Sequence, residues 1–342
     1  DKGINAVLVD PKSVKNVPGR KTDYLDAQWI HKLYSCGLLT PAFRPAKDKE
    51  AFRAYMRHRG NLIKGRQIAI LQMNKALLLM NIKLDVAVSE VVGVTGMNII
   101  RAIVDGERDP NKLAGLRHKS CKKPEKIFVD ALTGNFQETH LFTLKQSLET
   151  FDYFSRQIDE CDKMILAALQ KWPTIVEGST PSKKKDKDKR PIKFANSKKP
   201  DQNEFNFDIE TLLYQKTGVD LTAINSLGRL TVATIISELG GKEGLNAFST
   251  ERAWCSWLTL CPGNNISGGK SLGGKSRKSK NRIKRALCTA SMSLCNSKCS
   301  LGAYYRRMAA RVGKAKALKA VAHKLARLIY QLLKNGNRSE ER

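Results

Sequence analysis

The apolar positions divide the chain into one short strand-like run and several helical stretches. "INAVLVD", Ile4 to Asp10, is a β-branched run of the kind that makes a buried strand. After it come a basic loop, "PKSVKNVPGRK", and a short helix ending near Gly37 and Pro41. From about Lys47 to Leu84 only Gly60 and Gly65 interrupt a long basic helix, and a shorter helix follows to about Lys123. A second long helix runs from about Phe136 to Trp172, where Phe151, Phe154, Ile158, Cys161, Ile165, Ala168 and Trp172 recur at three- and four-residue steps. That is the seam of a helical hairpin or coiled coil, and it predicts an arm or dimerisation spur.

Residues 173 to 204 are lysine-rich and nearly free of large apolar groups, which predicts a disordered insert. From Phe205 onward the pattern is helical again. "LTAINSLGRLTVATIISELG", residues 221 to 240, reads as helix, tight turn and helix, with Gly228 at the turn. Such a turn is either a plain helical corner or a place where backbone N–H groups hold a DNA phosphate. A Ser, Gly and Lys loop leads to a basic helix starting near Arg282. The last helix turns Leu318, Val321, Leu325, Leu328 and Leu332 inward and its lysines outward. The chain thus divides at 1–46, 47–172, 173–204 and 205–342.

The helix that opens "TDYLDAQWIHKL" has a feature that hydropathy alone does not explain. Stepping by three and four from Asp23 gives Asp26, Ile30, Leu33 and Gly37, so two carboxylates continue an apolar stripe. Thr22 as N-cap and the helix dipole account for acids in a first turn. Carboxylates in line with a buried face call in addition for a cation opposite them, either basic side chains or a metal.

Charge narrows the partners. Sixty-one Lys and Arg stand against 32 Asp and Glu, a net +29, which points to nucleic acid ahead of a membrane surface. From Asn264 to Arg342 there are 20 Lys and Arg and only two acids, Glu340 and Glu341. This last quarter is the expected main phosphate-binding surface. The eight cysteines form no C-x-x-C pair, which argues against a structural zinc. With no run of eighteen apolar residues and no signal pattern, a cytoplasmic location is expected.

Two separated patterns resemble one family. "KTDYLDA" after a strand and a basic loop resembles the RuvC-like, RNase H-type domain of DEDD-type insertion-sequence transposases, the IS-one-ten family. "WLTLCPGNNISGGK", "KNRIKRAL" and "GKAKALKAVAHKLARLIYQLL" resemble that family's carboxyl-terminal transposase domain, and "INSLGRLTVA" fits the same order. The resemblance implies an α/β RuvC-like part joined to a mostly α remainder. It implies that Asp23 and Asp26 are the third and fourth acids of a magnesium site, and that Ser267 is a nucleophile that becomes covalently linked to DNA.

Gly268 and Gly269 would then let the backbone approach the strand, as would Gly228 at its turn. Lys21, Lys270, Lys275, Arg277, Lys278, Arg282, Lys284 and Arg285 would neutralise phosphates. The implied partners are donor and target DNA, a bridging guide RNA and further copies of the chain in a dimer or tetramer, at a bacterial or archaeal nucleoid. The family's first Asp and its Glu would lie upstream of Ile4, so the chain as written is expected to be weak in catalysis unless more sequence precedes it. A nucleic-acid-binding relative without the chemistry, and a RuvC-like junction resolvase that uses water, are the alternative readings.

Overall fold

The computed structural model describes residues 7–9, 14, 22–39, 41–119, 121–177, 202–263, 265–273 and 279–336. Helix α1 (Asp23–Ser35) starts at Thr22, whose hydroxyl accepts from the Leu25 N–H. Two long helices, α2 (Glu50–Leu79) and α7 (Glu138–Gln170), form an antiparallel arm. At a rise of about 1.5 Å per residue they span roughly 45 and 50 Å. Position along one falls as it rises along the other. Phe52 meets Trp172 edge-on with ring centroids 5.3 Å apart, Arg59 meets Asp162, and the Phe154 ring lies over Gly65. A Cβ at Gly65 would sit 2.5 Å from Phe154 Cζ, so glycine leaves the room that the Phe154 ring occupies.

The far end of the arm carries a small helical cap: α3 (Leu84–Ala87), α4 (Val94–Val104), α5 (Pro110–Gly115) and α6 (Glu125–Leu132). These helices close over Met73 and Leu77 of α2, Met80 just beyond its end, and Leu144 and Leu148 of α7. Ile99, Ile100, Ile103, Leu113 and Phe128 fill the resulting core.

The near end is fused to the carboxyl-terminal helices: α8 (Ile209–Thr217), α9 (Arg229–Leu239), α10 (Glu251–Trp257), α11 (Arg282–Ser293), α12 (Ser300–Val312) and α13 (Lys314–Asn335). One continuous core holds Phe52 and Met56 of α2 and Ile165 and Leu169 of α7 together with Ile236, Trp254, Leu287 and Ile329. The Trp254 indole N–H donates to the Ala326 carbonyl at 3.1 Å, and the Tyr330 hydroxyl donates to the Phe248 carbonyl at 3.0 Å, so α13 is pinned at two heights.

Two charged clusters join the arm to this base. Arg59 is 1% exposed and forms a double contact with Asp162, Nε to Oδ1 at 2.5 Å and Nη2 to Oδ2 at 3.2 Å. Nη1 donates to the Asn203 carbonyl at 3.0 Å, Nη2 donates also to the Glu204 carbonyl at 2.9 Å, and the guanidinium carbon lies 4.1 Å from the centre of the Phe205 ring. The second cluster centres on Glu238 at the end of α9. It accepts from Arg53 at 2.9 Å and from Arg57 at 2.8 and 2.6 Å, with Arg282 at 3.7 Å. Burial pushes the Glu238 carboxyl up, but the hydrogen bonds from Arg57 and Arg53 outweigh it and hold the pKa below the ordinary glutamate value.

Several expectations need correction. The stripe from Asp23 to Gly37 is not a buried face: among Asp23, Asp26, Ile30, Leu33 and Gly37 only Leu33 is buried, so the carboxylates lie on the exposed first turn of a helix whose dipole favours them. The first half of the expected helical hairpin is a single 3-10 turn, Leu221–Ala223, because the Asp220 carboxylate binds the N–H groups of Thr222 and Ala223 and closes the turn locally. The single shorter helix expected up to about Lys123 is three helices, α3, α4 and α5, and α6 follows beyond it. Leu328 is 37% exposed, and the buried stripe of α13 runs instead through Ala317, Val321, Ala322, Leu325, Ala326, Ile329, Tyr330 and Leu333.

The arm seam holds, with Ile158, Cys161, Ile165, Ala168 and Trp172 buried. Most of the expected strand, residues 4–6 and 10, lies outside the described residues. Val9 makes an isolated antiparallel bridge with Pro41, and among the described residues the one sheet is a two-stranded hairpin near Ser267. The mostly helical character is as expected, and no RuvC-like sheet is seen among these residues. Of the lysine-rich stretch, 178–201 lies outside the described residues. Its flanks are tied down: Ile175 N–H donates to the Gln215 carbonyl, and Arg66 reaches the Gln202 carbonyl at 2.7 Å.

Removing one partner of a buried ion pair leaves the other charge uncompensated. Asp162→Ala is therefore expected to cost about 3–5 kcal/mol in a urea titration. Asp152→Ala, which breaks the half-exposed Arg101 pair, should cost less than about 1 kcal/mol. Equal losses would contradict the role given to Arg59. Glu238 has a depressed folded-state pKa, so its contribution is complete above the unfolded value of about 4.3 and is lost as pH falls through the folded one. Glu238→Gln should melt earlier than the unaltered chain at pH 7, by roughly 1–3 kcal/mol, with the gap narrowing toward pH 3 in thermal melts.

Candidate functional site

Strand β1 (Asn265–Ser267) pairs antiparallel with β2 (Lys270–Gly273), with Ser267 opposite Lys270. The two-residue connection is Gly268 and Gly269, with φ of +56° and +74°. Positive φ at both central residues is what a type I′ hairpin turn requires, and glycine adopts it without strain. The loop reading therefore sharpens into a hairpin, and the two glycines have a conformational reason for being there. Opposed residues of an antiparallel pair project from the same face, so the exposed Ser267 hydroxyl has the exposed Lys270 ammonium as its cross-strand neighbour.

Helix α11 begins just beyond. The Asn281 side chain accepts from the Lys284 N–H at 3.1 Å, and Ser279 Oγ accepts from the Asn281 N–H at 3.0 Å. This doubly capped start carries Arg282, Lys284 and Arg285 and no acid in its first turn. Cations at the positive end of a helix dipole are unfavourable unless an anion joins them. Lys284 Nζ donates to Thr259 Oγ1 at 2.8 Å, Arg282 leans toward Glu238, and Arg285 is exposed.

Arg53 and Arg57 escaped the sequence reading and belong to this surface. Three guanidinium groups surround the single Glu238 carboxylate, so the cluster keeps a net positive charge where α2, α9 and α11 meet. The signal was legible: two arginines four apart on one helix repel one another and need an anion opposite them.

Gly228 is exposed and is the N-cap of α9, with φ −75° and ψ 165°. A Cβ there would meet nothing within 4 Å, so the backbone at this turn is open to approach. Lys21, Lys275, Arg277 and Lys278 lie outside the described residues. Asp23 and Asp26 sit one turn apart on α1, both exposed. Among the described residues no group of three or more His, Cys, Asp or Glu could hold a metal ion. As a donor set the two carboxylates still fit a hard cation such as Mg²⁺, which binds through one or two carboxylates and retains water or phosphate oxygens.

No helix among the described residues is long and apolar enough to cross a membrane. No curated protein matches the chain. Residues 220–306, which contain the Gly228 turn, the Ser267 hairpin and α11, match the family model described as Transposase IS116/IS110/IS902 family, and this segment is therefore similar to the transposase domain of that family.

Proposed function

We propose that the chain is a DNA transposase that cuts and rejoins DNA strands through Ser267. The observation that carries the reading is that Ser267 stands exposed beside Lys270, at a glycine turn inside the transposase-like segment, with the basic head of α11 following. In the proposed reaction Ser267 Oγ attacks a backbone phosphorus. The bond from phosphorus to one sugar oxygen breaks, the serine gives up its proton, and the departing oxygen takes one up. The new phosphoserine ester keeps the bond energy, so a hydroxyl of a second strand can reverse the step and join the ends.

Lys270, Arg282 and Arg285 balance the phosphate charge, and the helix start at Gly228 offers backbone N–H groups to a neighbouring phosphate. Asp23 and Asp26 are the residues that would hold Mg²⁺, which when bound stabilises negative charge on the attacked phosphate. A RuvC-like domain around these acids, a guide RNA beside donor and target DNA, and a homo-oligomer in which the arm brings the acids of one copy to the serine of another complete the proposal. The net charge of +29 and an arm roughly 45 to 50 Å long support it.

The test is a search for a denaturant-resistant protein–DNA adduct with Mg²⁺, donor DNA and co-purified RNA, on this chain and on one extended upstream. The expected adduct maps to Ser267 and vanishes in Ser267→Ala, which leaves DNA affinity within about threefold because the hydroxyl neutralises no phosphate. Magnesium-dependent cutting without an adduct would replace the proposal with hydrolysis by water, and binding with no chemistry would leave a binding protein. Arg285→Gln should reduce the slope of log affinity against log salt by about one.

A further inference from the structure

A second site lies away from Ser267, Asp23 and Asp26, at the foot of the arm. The start of α2, the end of α7, α8, the turn after α9 and the end of α13 enclose a cavity of about 240 Å³. Lys49, Lys216, Lys242 and Lys334 line it, with Glu243 as the one lining acid. Two of these lysines are out of water: Lys49 is 3% and Lys216 8% exposed. Lysine is almost never fully buried unless paired, so two in one cavity wall call for an explanation.

Their existing partners are incomplete. Lys49 Nζ lies 3.2 Å from an Asp48 oxygen and 4.4 Å over the Trp172 ring. Lys216 Nζ has only neutral acceptors, the Trp172 carbonyl at 2.7 Å and Thr174 Oγ1 at 2.9 Å, and keeps one N–H to spare. Trp172 is 5% exposed, and its indole N–H is buried without a hydrogen-bond partner. An indole nitrogen only donates, so what is missing is an acceptor.

We propose that this cavity binds a phosphate group, free or at the end of a nucleic-acid strand. A phosphate offers several acceptor oxygens, and Trp172, Lys216 and Asn246, which line the cavity, each carry N–H donors. Its charge of about −1.5 to −2 at pH 7 matches the surplus left when Glu243 and Asp48 are set against four lysines. An internal phosphodiester of a duplex carries a sugar on each side and does not reach ammonium groups this deeply buried. A free phosphate or a terminal monoester does. The ligand would tie together the five segments that anchor the arm.

Isothermal titration calorimetry on the full chain tests this, with inorganic phosphate, a short 5′-phosphorylated single-stranded oligonucleotide and its 5′-hydroxyl counterpart as probes. One phosphate per chain is expected. Trp172→Phe, which removes the indole N–H and keeps an aromatic ring against Lys49, should weaken binding roughly tenfold or more, and Lys334→Gln at the exposed rim should weaken it in the same direction. Preference for the 5′-phosphorylated strand assigns the site to a strand end. Binding of inorganic phosphate without that preference assigns it to the free anion. Undiminished phosphate binding in both variants, or several weak equivalents per chain, would mean diffuse attraction to surface lysines and would overturn the proposal. Melting curves of both variants in phosphate-free buffer separate loss of the site from loss of the fold.

Discussion

The buried contact between Arg59 and Asp162 is the constraint on which the rest of the arrangement depends. It lies inside the arm, where water does not reach, and the oxygens facing the guanidinium come from two other parts of the chain. Asp162 comes from α7, and the two carbonyls come from the segment that leads into the carboxyl-terminal helices. One side chain thus fixes the register of the arm helices and the point at which the chain rejoins them. An ion pair of this kind adds little net stability compared with a well-packed apolar pair, but breaking it on one side is expensive. Its value here is positional, since Phe205 under the guanidinium begins the run of residues that forms the base core.

The other charges can be ordered by how far they are satisfied within the chain. Every nitrogen of the Arg59 guanidinium has an acceptor. The three arginines at Glu238 share one carboxylate and keep a net positive charge. Arg285 and Lys270 are exposed. The cationic surface therefore grows less satisfied from the arm toward the Ser267 hairpin and the head of α11, and this is the direction in which a polyanion would dock. The Trp172 cavity breaks this order, with unsatisfied donors inside the protein rather than on its face.

Much of the helical framework was legible because a seam at three- and four-residue steps records one packed face. The arm seam of α7, the start of α11 at Arg282 and the extent of α13 follow directly from the pattern. Local chemistry was less legible where a side chain competes with the helix. Asp220 shortens the segment before Gly228 to a single 3-10 turn, and two positive-φ glycines make a hairpin of a stretch that hydropathy reads as loop. The stripe of Asp23, Asp26, Ile30 and Leu33 had the right spacing for a packed face, yet spacing states only which residues share a face and not whether anything covers it.

The sequence by itself determined the long helices, the Thr22 cap and the concentration of positive charge in the last quarter, because these depend on neighbours within a few residues or on composition alone. The tertiary structure decided which charges meet: Arg59 with Asp162, Arg53 and Arg57 with Glu238, Lys49 and Lys216 around the Trp172 indole. The partners in the first two clusters lie more than a hundred residues apart, and no local periodicity encodes which buried cation finds which acceptor. That choice is made only when the packed core excludes water and each polar group must be satisfied by whatever the fold has brought within reach.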